Sequence, residues 1–240
     1  MSGRTVAIHQ PNFFPWLGFF DKLCRSDVFV MLDGVQLAQG RGGNGNWSNR
    51  VRVLKDGHAA WLTAPVKRSG QGLQSIQDVQ LADDQPWRAK MLNTLRATYG
   101  RAPSFAAVMP CVESIMETAT TSLAEFNVHA IDALLGRLGV AHGRVIRQCD
   151  LAAEGRATEL LIHLVQAAGG SAYLCGGGSG GYLDAAAFAR AGLTLSFQQY
   201  QHPVYEQRGG HEFVPGLSIL DALMHCGFDG VRDMLAERGR

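Results

Sequence analysis

What the chain lacks narrows it first. No run of about 18 apolar residues occurs, which excludes a membrane-spanning helix. No apolar segment precedes the first strand: Met1-Ser2-Gly3-Arg4 leads straight into it, which predicts a cytoplasmic protein without a secretion signal. There is no basic block; 22 Lys and Arg face 21 Asp and Glu for a net charge of +1. Such a balance leaves no electrostatic footprint for duplex nucleic acid, while a tRNA-bound or carrier-bound donor stays open. The five cysteines (Cys24, Cys111, Cys149, Cys175, Cys226) are odd in number and widely spaced, with no CxxC and no His/Cys pair at zinc spacing. Free thiols in a reducing compartment are expected, and no metal site is indicated. No Gly-Lys-Ser/Thr follows any glycine cluster, so there is no P-loop. Internal repeats and low-complexity tails are missing too.

What is present reads as one α/β domain over 1–240, with a helical insertion at 85–140. Thr5–Ile8 and Asp27–Asp33 are apolar strands, separated by helical spacing over Trp16–Ser26. A strand, a helix and a second apolar strand make a βαβ unit and imply a parallel sheet. The stretches Trp47–Leu54 and Ala59–Val66 flank Asp56-Gly57 and predict a hairpin. Ile76–Leu81 is expected to be a short strand. Helical periodicity covers Pro86–Tyr99, Phe105–Met116 and Leu123–Leu138. The α/β pattern then resumes: strand Arg144–Gln148, helix Thr158–Ala168, strand Ala172–Leu174, glycine loop Gly176–Gly181, helix Leu183–Ala191, strand Leu193–Gln199. Helices Leu217–Cys226 and Val231–Glu237 end the chain. The expected architecture is a Rossmann-like parallel sheet, HUP-like by fold-level analogy, with a β-hairpin insertion and a central helical segment.

Ligands of open parallel sheets bind outside the carboxyl ends of the strands. The turn His9-Gln10-Pro11-Asn12-Phe13-Phe14-Pro15-Trp16 occupies such an end. His9 offers an acid, base or donor, Gln10 and Asn12 offer amides, and two prolines stiffen the segment. The competing reading is a strand cap with aromatic packing. Asp33 and Gln36 follow the second strand and are expected beside His9, where Asp33 would orient the imidazole or hold an ammonium. Asn49 and Arg50, next to Trp47, suit an anion clamp and a stacking surface. Tyr200, His202, Tyr205 and Gln207 form a second polar-aromatic cluster after the last strand. The strand–glycine loop–helix passage at Gly176–Gly181 suits a phosphate or carboxylate.

Ile8-His9-Gln10-Pro11-Asn12-Phe13-Phe14-Pro15-Trp16-Leu17-Gly18-Phe19-Phe20-Asp21-Lys22 resembles the opening signature of the WbqC-like family. Leu32-Asp33-Gly34-Val35-Gln36, Trp47-Ser48-Asn49-Arg50, Tyr173-Leu174-Cys175-Gly176, Gly181-Tyr182-Leu183-Asp184, the Gln199–Gln207 stretch and Leu217–Asp221 extend the likeness in order along the chain. The resemblance implies a bacterial protein of O-antigen and other polysaccharide gene clusters, with glycine transfer onto an amino sugar as the implied chemistry. It adds Trp16, Tyr173, Cys175, Gly176 and Tyr182 to the candidate substrate-binding positions. Cys175 stands where the family pattern has Ser, which keeps either a nucleophile or a small packing residue. Trp16-Leu17-Gly18-Phe19 stands where HUP-type nucleotidyl transferases place an HxGH-like motif, with the glycine present and both histidines absent.

The expected function is therefore a transferase joining an activated acyl or aminoacyl group, such as glycyl, to an amine of a sugar or similar metabolite. His9 would be its base, with Asp33 and His202 as further catalytic candidates. An ATP-dependent nucleotidyl- or adenylate-forming enzyme of HUP type, and a non-catalytic binder of a small polar metabolite, are the alternatives. ATP or an activated acyl donor is the cosubstrate each enzyme reading implies.

Overall fold

Runs with no polar face become strands covered on both sides. Val28–Met31 is buried at every position and forms β2, alongside β1 (Thr5–His9). The computed structural model describes residues 3–38, 46–67, 74–177, 183–209 and 212–236. Helix α1 (Leu17–Cys24) connects these first two strands. Then come the hairpin β3 (Arg50–Lys55) and β4 (His58–Thr63), and helices α2 (Trp87–Tyr99), α3 (Phe105–Met116) and α4 (Leu123–Leu138). β5 (Arg144–Arg147), α5 (Ala157–Ala167), β6 (Ala172–Cys175), α6 (Ala185–Arg190), β7 (Thr194–Phe197) and α7 (Ile219–Ala236) complete the order. No helix among the described residues is long and apolar enough to cross a membrane.

The main sheet has five parallel strands in the order β5-β2-β1-β6-β7. The chain moves outward from β1 through β2 to β5, then returns to β6 on the other side of β1. Crossovers are right-handed, so reversing the direction of travel reverses the face the connectors cover. The core divides accordingly. Ala7, Phe29, Met31 and Leu174 face α1, α4, α7 and the hairpin; Val6, Ile8, Val30, Tyr173 and Cys175 lie under α5 and α6. This is the expected Rossmann-like α/β sheet with its separate antiparallel hairpin.

Local signals decide several boundaries. Lys55 pairs with His58 across Asp56 and Gly57, both at positive φ (50° and 77°), the two-residue turn that Asp-Gly favours. Ser122 caps α4 by accepting the Glu125 N–H at 3.3 Å, and Gly139, at φ 61°, ends it. The two expected C-terminal helices are α7, broken at Gly227 (φ 72°, ψ 178°). The expected strand over Ile76–Leu81 is not one. It is a 3₁₀ turn, Ile76–Asp78, followed by isolated bridges of Gln80 to Ser122 and of Leu81 to Val66. Among the described residues no continuous strand runs alongside it, so its apolar residues fill core without building a ladder.

Candidate functional site

The reversal of strand order makes the carboxyl ends of β1 and β6 the topological switch point, where doubly wound sheets bind ligands in a crevice. His9 ends β1 and Cys175 ends β6. The His9 ring sits edge-on to Phe19 with centroids 5.1 Å apart. Its Nδ1 lies 2.9 Å from the Gln10 carbonyl oxygen. A carbonyl can only accept, so the proton resides on Nδ1 and Nε2 carries the lone pair. Burial, and then the nearby Lys22 charge, push the His9 pKa down to about 4, so the imidazole is neutral at pH 7.

Lys22 was not among the residues the sequence singled out. It rises from α1, is 2% exposed, and donates from Nζ to the Ile8 carbonyl at 2.8 Å. Nζ lies 6.0 Å from the centre of the Tyr173 ring. Burial pushes its pKa down to about 8. A sequence signal did exist: Leu17-Gly18-Phe19-Phe20-Asp21-Lys22-Leu23-Cys24 is apolar on every side, leaving its two charges no solvent face. Asp21 finds partners in Gln198 Nε2 at 2.6 Å and Arg25 at 3.6 Å. Cys175 is buried, with Sγ 3.4 Å from the Gly176 carbonyl. Burial pushes its thiol pKa up, against the pull of Lys22, so it is a thiol at neutral pH and a poor nucleophile.

The first turn is held rigidly. Phe14 has φ 41°, an unfavourable value for a bulky residue, and its carbonyl accepts from Ser218 Oγ at 2.8 Å. Phe13 N–H donates to the Trp47 carbonyl at 2.9 Å, and Asn127 Nδ2 donates to the Pro11 and Ser48 carbonyls at 2.8 and 2.7 Å. Asn12 is 4% exposed. Trp16 packs edge-on against Tyr200 at 5.1 Å, and Tyr200 lies 5.9 Å from His202. The second aromatic cluster therefore does join the first turn. Arg50 stacks over Trp61 on the hairpin at 4.3 Å, and Arg52 lies over Trp47, just before β3, at 5.1 Å.

Other expected groupings do not form. Asp33 is not paired with His9. Its Oδ2 accepts from Arg147 Nε at 2.6 Å, and Gly34 N–H donates to Gln148. The reason is strand order: β2 has β5 on its far side, and Asp33 turns to the end of β5. Its buried Oδ1 has no hydrogen-bond partner among the described residues. Gln36 bridges to Ser75 by its backbone, away from His9. Asn49 is committed to the Asn46 amide and the Ala64 carbonyl, both at 2.9 Å. Tyr173 stacks on Phe188 in the core beneath α6. Tyr205 and Gln207 serve a buried carboxylate: Asp221 accepts from Tyr205 at 2.7 Å, Gln207 at 2.9 Å and Tyr99 at 2.8 Å. Of the glycine loop only Gly176 and Gly177 are among the described residues; Tyr182 lies outside them.

A cleft of about 470 Å³ lies elsewhere, between α2 and residues 116–121. Its Arg88 already donates to Asp83 and to the Met116, Thr118 and Thr120 carbonyls, so it offers no anion site. No group of three or more His, Cys, Asp or Glu that could hold a metal occurs among the described residues.

No solved structure matches this chain. It is 29% identical over 226 residues to the uncharacterized protein Rv1507c of Mycobacterium tuberculosis (strain ATCC 25618 / H37Rv), covering 93% of this chain and 94% of the relative. The model of the WbqC-like protein family matches residues 10–233, and the chain belongs to that family.

Proposed function

We propose that the protein is a transferase that joins an activated acyl or aminoacyl group, such as glycyl, to an amine of a sugar or similar metabolite. The observation that carries this reading is the neutral His9 imidazole at the crevice, its lone pair placed on Nε2 by the Nδ1 bond to Gln10. An attacking amine forms its C–N bond to the acyl carbon as the leaving group departs, and its surplus proton passes to Nε2. Asn12, buried in the same turn, is a candidate to hold a substrate polar group. Asp33, with one buried oxygen unpartnered, suits a substrate ammonium. Trp16 and Tyr200 offer an aromatic wall, and Arg50 beside Trp61 a cationic one.

The test is product formation. Labelled glycine is supplied as a tRNA ester, as a thioester, or with ATP, each with a nucleotide-linked amino sugar, and the products are read by mass spectrometry. An N-acylated sugar is expected, and His9→Ala should slow its formation by about 10²–10⁴-fold. No acylated product from any pair would overturn the reading. A second reading, an ATP-dependent nucleotidyl- or adenylate-forming enzyme, is favoured by the doubly wound sheet, whose crevice suits a nucleotide. Calorimetry with ATP and magnesium tests it; absence of binding rejects it. Retention of an amino sugar without turnover would instead point to a carrier.

A further inference from the structure

Lys22 is a buried cation without a counter-ion among the described residues. An ammonium has three N–H donors. Ile8 takes one, and no other acceptor bonds Lys22 among the described residues. The adjacent carboxylate, Asp21, is committed to Gln198 and Arg25. The titratable side chains that sense or face the ammonium are His9 from β1 and Tyr173 and Cys175 from β6. Burial keeps each of them uncharged at neutral pH. A buried charge in such surroundings is costly unless something pairs with it.

Its position says what that partner is. The His9 carbonyl accepts from Leu32 N–H and so faces β2. Alternation along the strand turns the preceding carbonyl, Ile8, toward β6. Nζ therefore sits on the β6 side of β1, near the carboxyl ends of both strands, where β6 ends at Cys175. We propose that Lys22 anchors an oxyanion site there, its two spare N–H donors holding a carboxylate or phosphoryl oxygen of a small ligand. The site shares the crevice of the proposed transferase without depending on that reaction, since a carrier would use it equally.

The full chain is tested by thermal unfolding in chloride buffer, with sodium phosphate or sodium acetate replacing chloride at constant ionic strength. At about a hundredfold excess over the dissociation constant, one of the anions should raise the Tm of the wild type by roughly 5 °C and leave Lys22→Met unmoved. A response to phosphate alone assigns a phosphoryl ligand, and one to acetate alone a carboxylate. An equal rise in both proteins, or no rise in the wild type with either anion, overturns the proposal. If Lys22→Met does not fold, NMR titration of the wild-type lysine Nζ decides: the Lys22 pKa should rise in the responding anion, and an unchanged value refutes the site. An intact anion response with no acylated product would discard the transferase reading and keep this one.

Discussion

Replacing Lys22 by Met should make the protein more stable at pH 7 and less stable at high pH. Burial shifts the Lys22 pKa from 10.5 to about 8. Each pKa unit is about 1.4 kcal/mol, so holding the ammonium inside costs about 3 kcal/mol. Methionine fills the same stem volume without the charge. It leaves the Ile8 carbonyl without its 2.8 Å donor, a loss of about 1–2 kcal/mol. The net gain at pH 7 is about 1–2 kcal/mol, or roughly 2–4 °C in Tm for a chain of this size. The sign follows the proton. Below its folded pKa of about 8 the lysine is charged in both states and the cost is full. From there to 10.5 the folded state releases its proton first, and the cost fades. Above that range only the hydrogen bond distinguishes the two proteins, and the wild type is ahead. The curves should cross between about pH 9 and 10. Denaturant midpoints of both proteins in chloride buffer from pH 7 to 10 measure this. A variant that is less stable at pH 7, with a difference that stays flat to pH 10, would refute the uncompensated buried charge.

The folded pKa of His9 is lowered from 6.5 to about 4. Its contribution is complete above the unfolded value and lost as pH falls through the folded one, so stability should drop by roughly 3 kcal/mol over that window. His9→Gln should lack this step in an acid titration followed by circular dichroism. Arg147→Met leaves the fully buried Asp33 carboxylate without its 2.6 Å partner. Urea unfolding should show a loss of about 3–5 kcal/mol, and a neutral effect would mean the pair is dispensable. Tyr205→Phe removes one of the donors to buried Asp221. It should cost about 1.5–3 kcal/mol in the same assay and leave ligand binding at the crevice intact, whereas selective loss of binding would return Tyr205 to the site.

The sequence by itself determined the strands of both sheets, most helices and the place of the first turn. Val28–Met31 has no polar face and can only be a covered strand; Asp56-Gly57 adopts the backbone its hairpin needs; His9 to Trp16 follows a strand in a parallel sheet and so lies at its ligand-binding edge. Periodicity reports that a face is buried, not what buries it. Ile76–Leu81 has the apolar content of a strand, but its partners are single residues 66 and 122, and only the packed chain shows that no ladder forms. Strand order was equally illegible. It sets β5, not β1, beside Asp33 and joins Asp33 to Arg147 across 114 positions. It brings β6 to β1 and so sets the switch point of the sheet there. The same limit hid the allegiance of Tyr205 and Gln207 to Asp221 and the isolation of Lys22. A side chain's charge is written in its chemistry, whereas its counter-ion, or the lack of one, depends on neighbours that only the tertiary structure assembles.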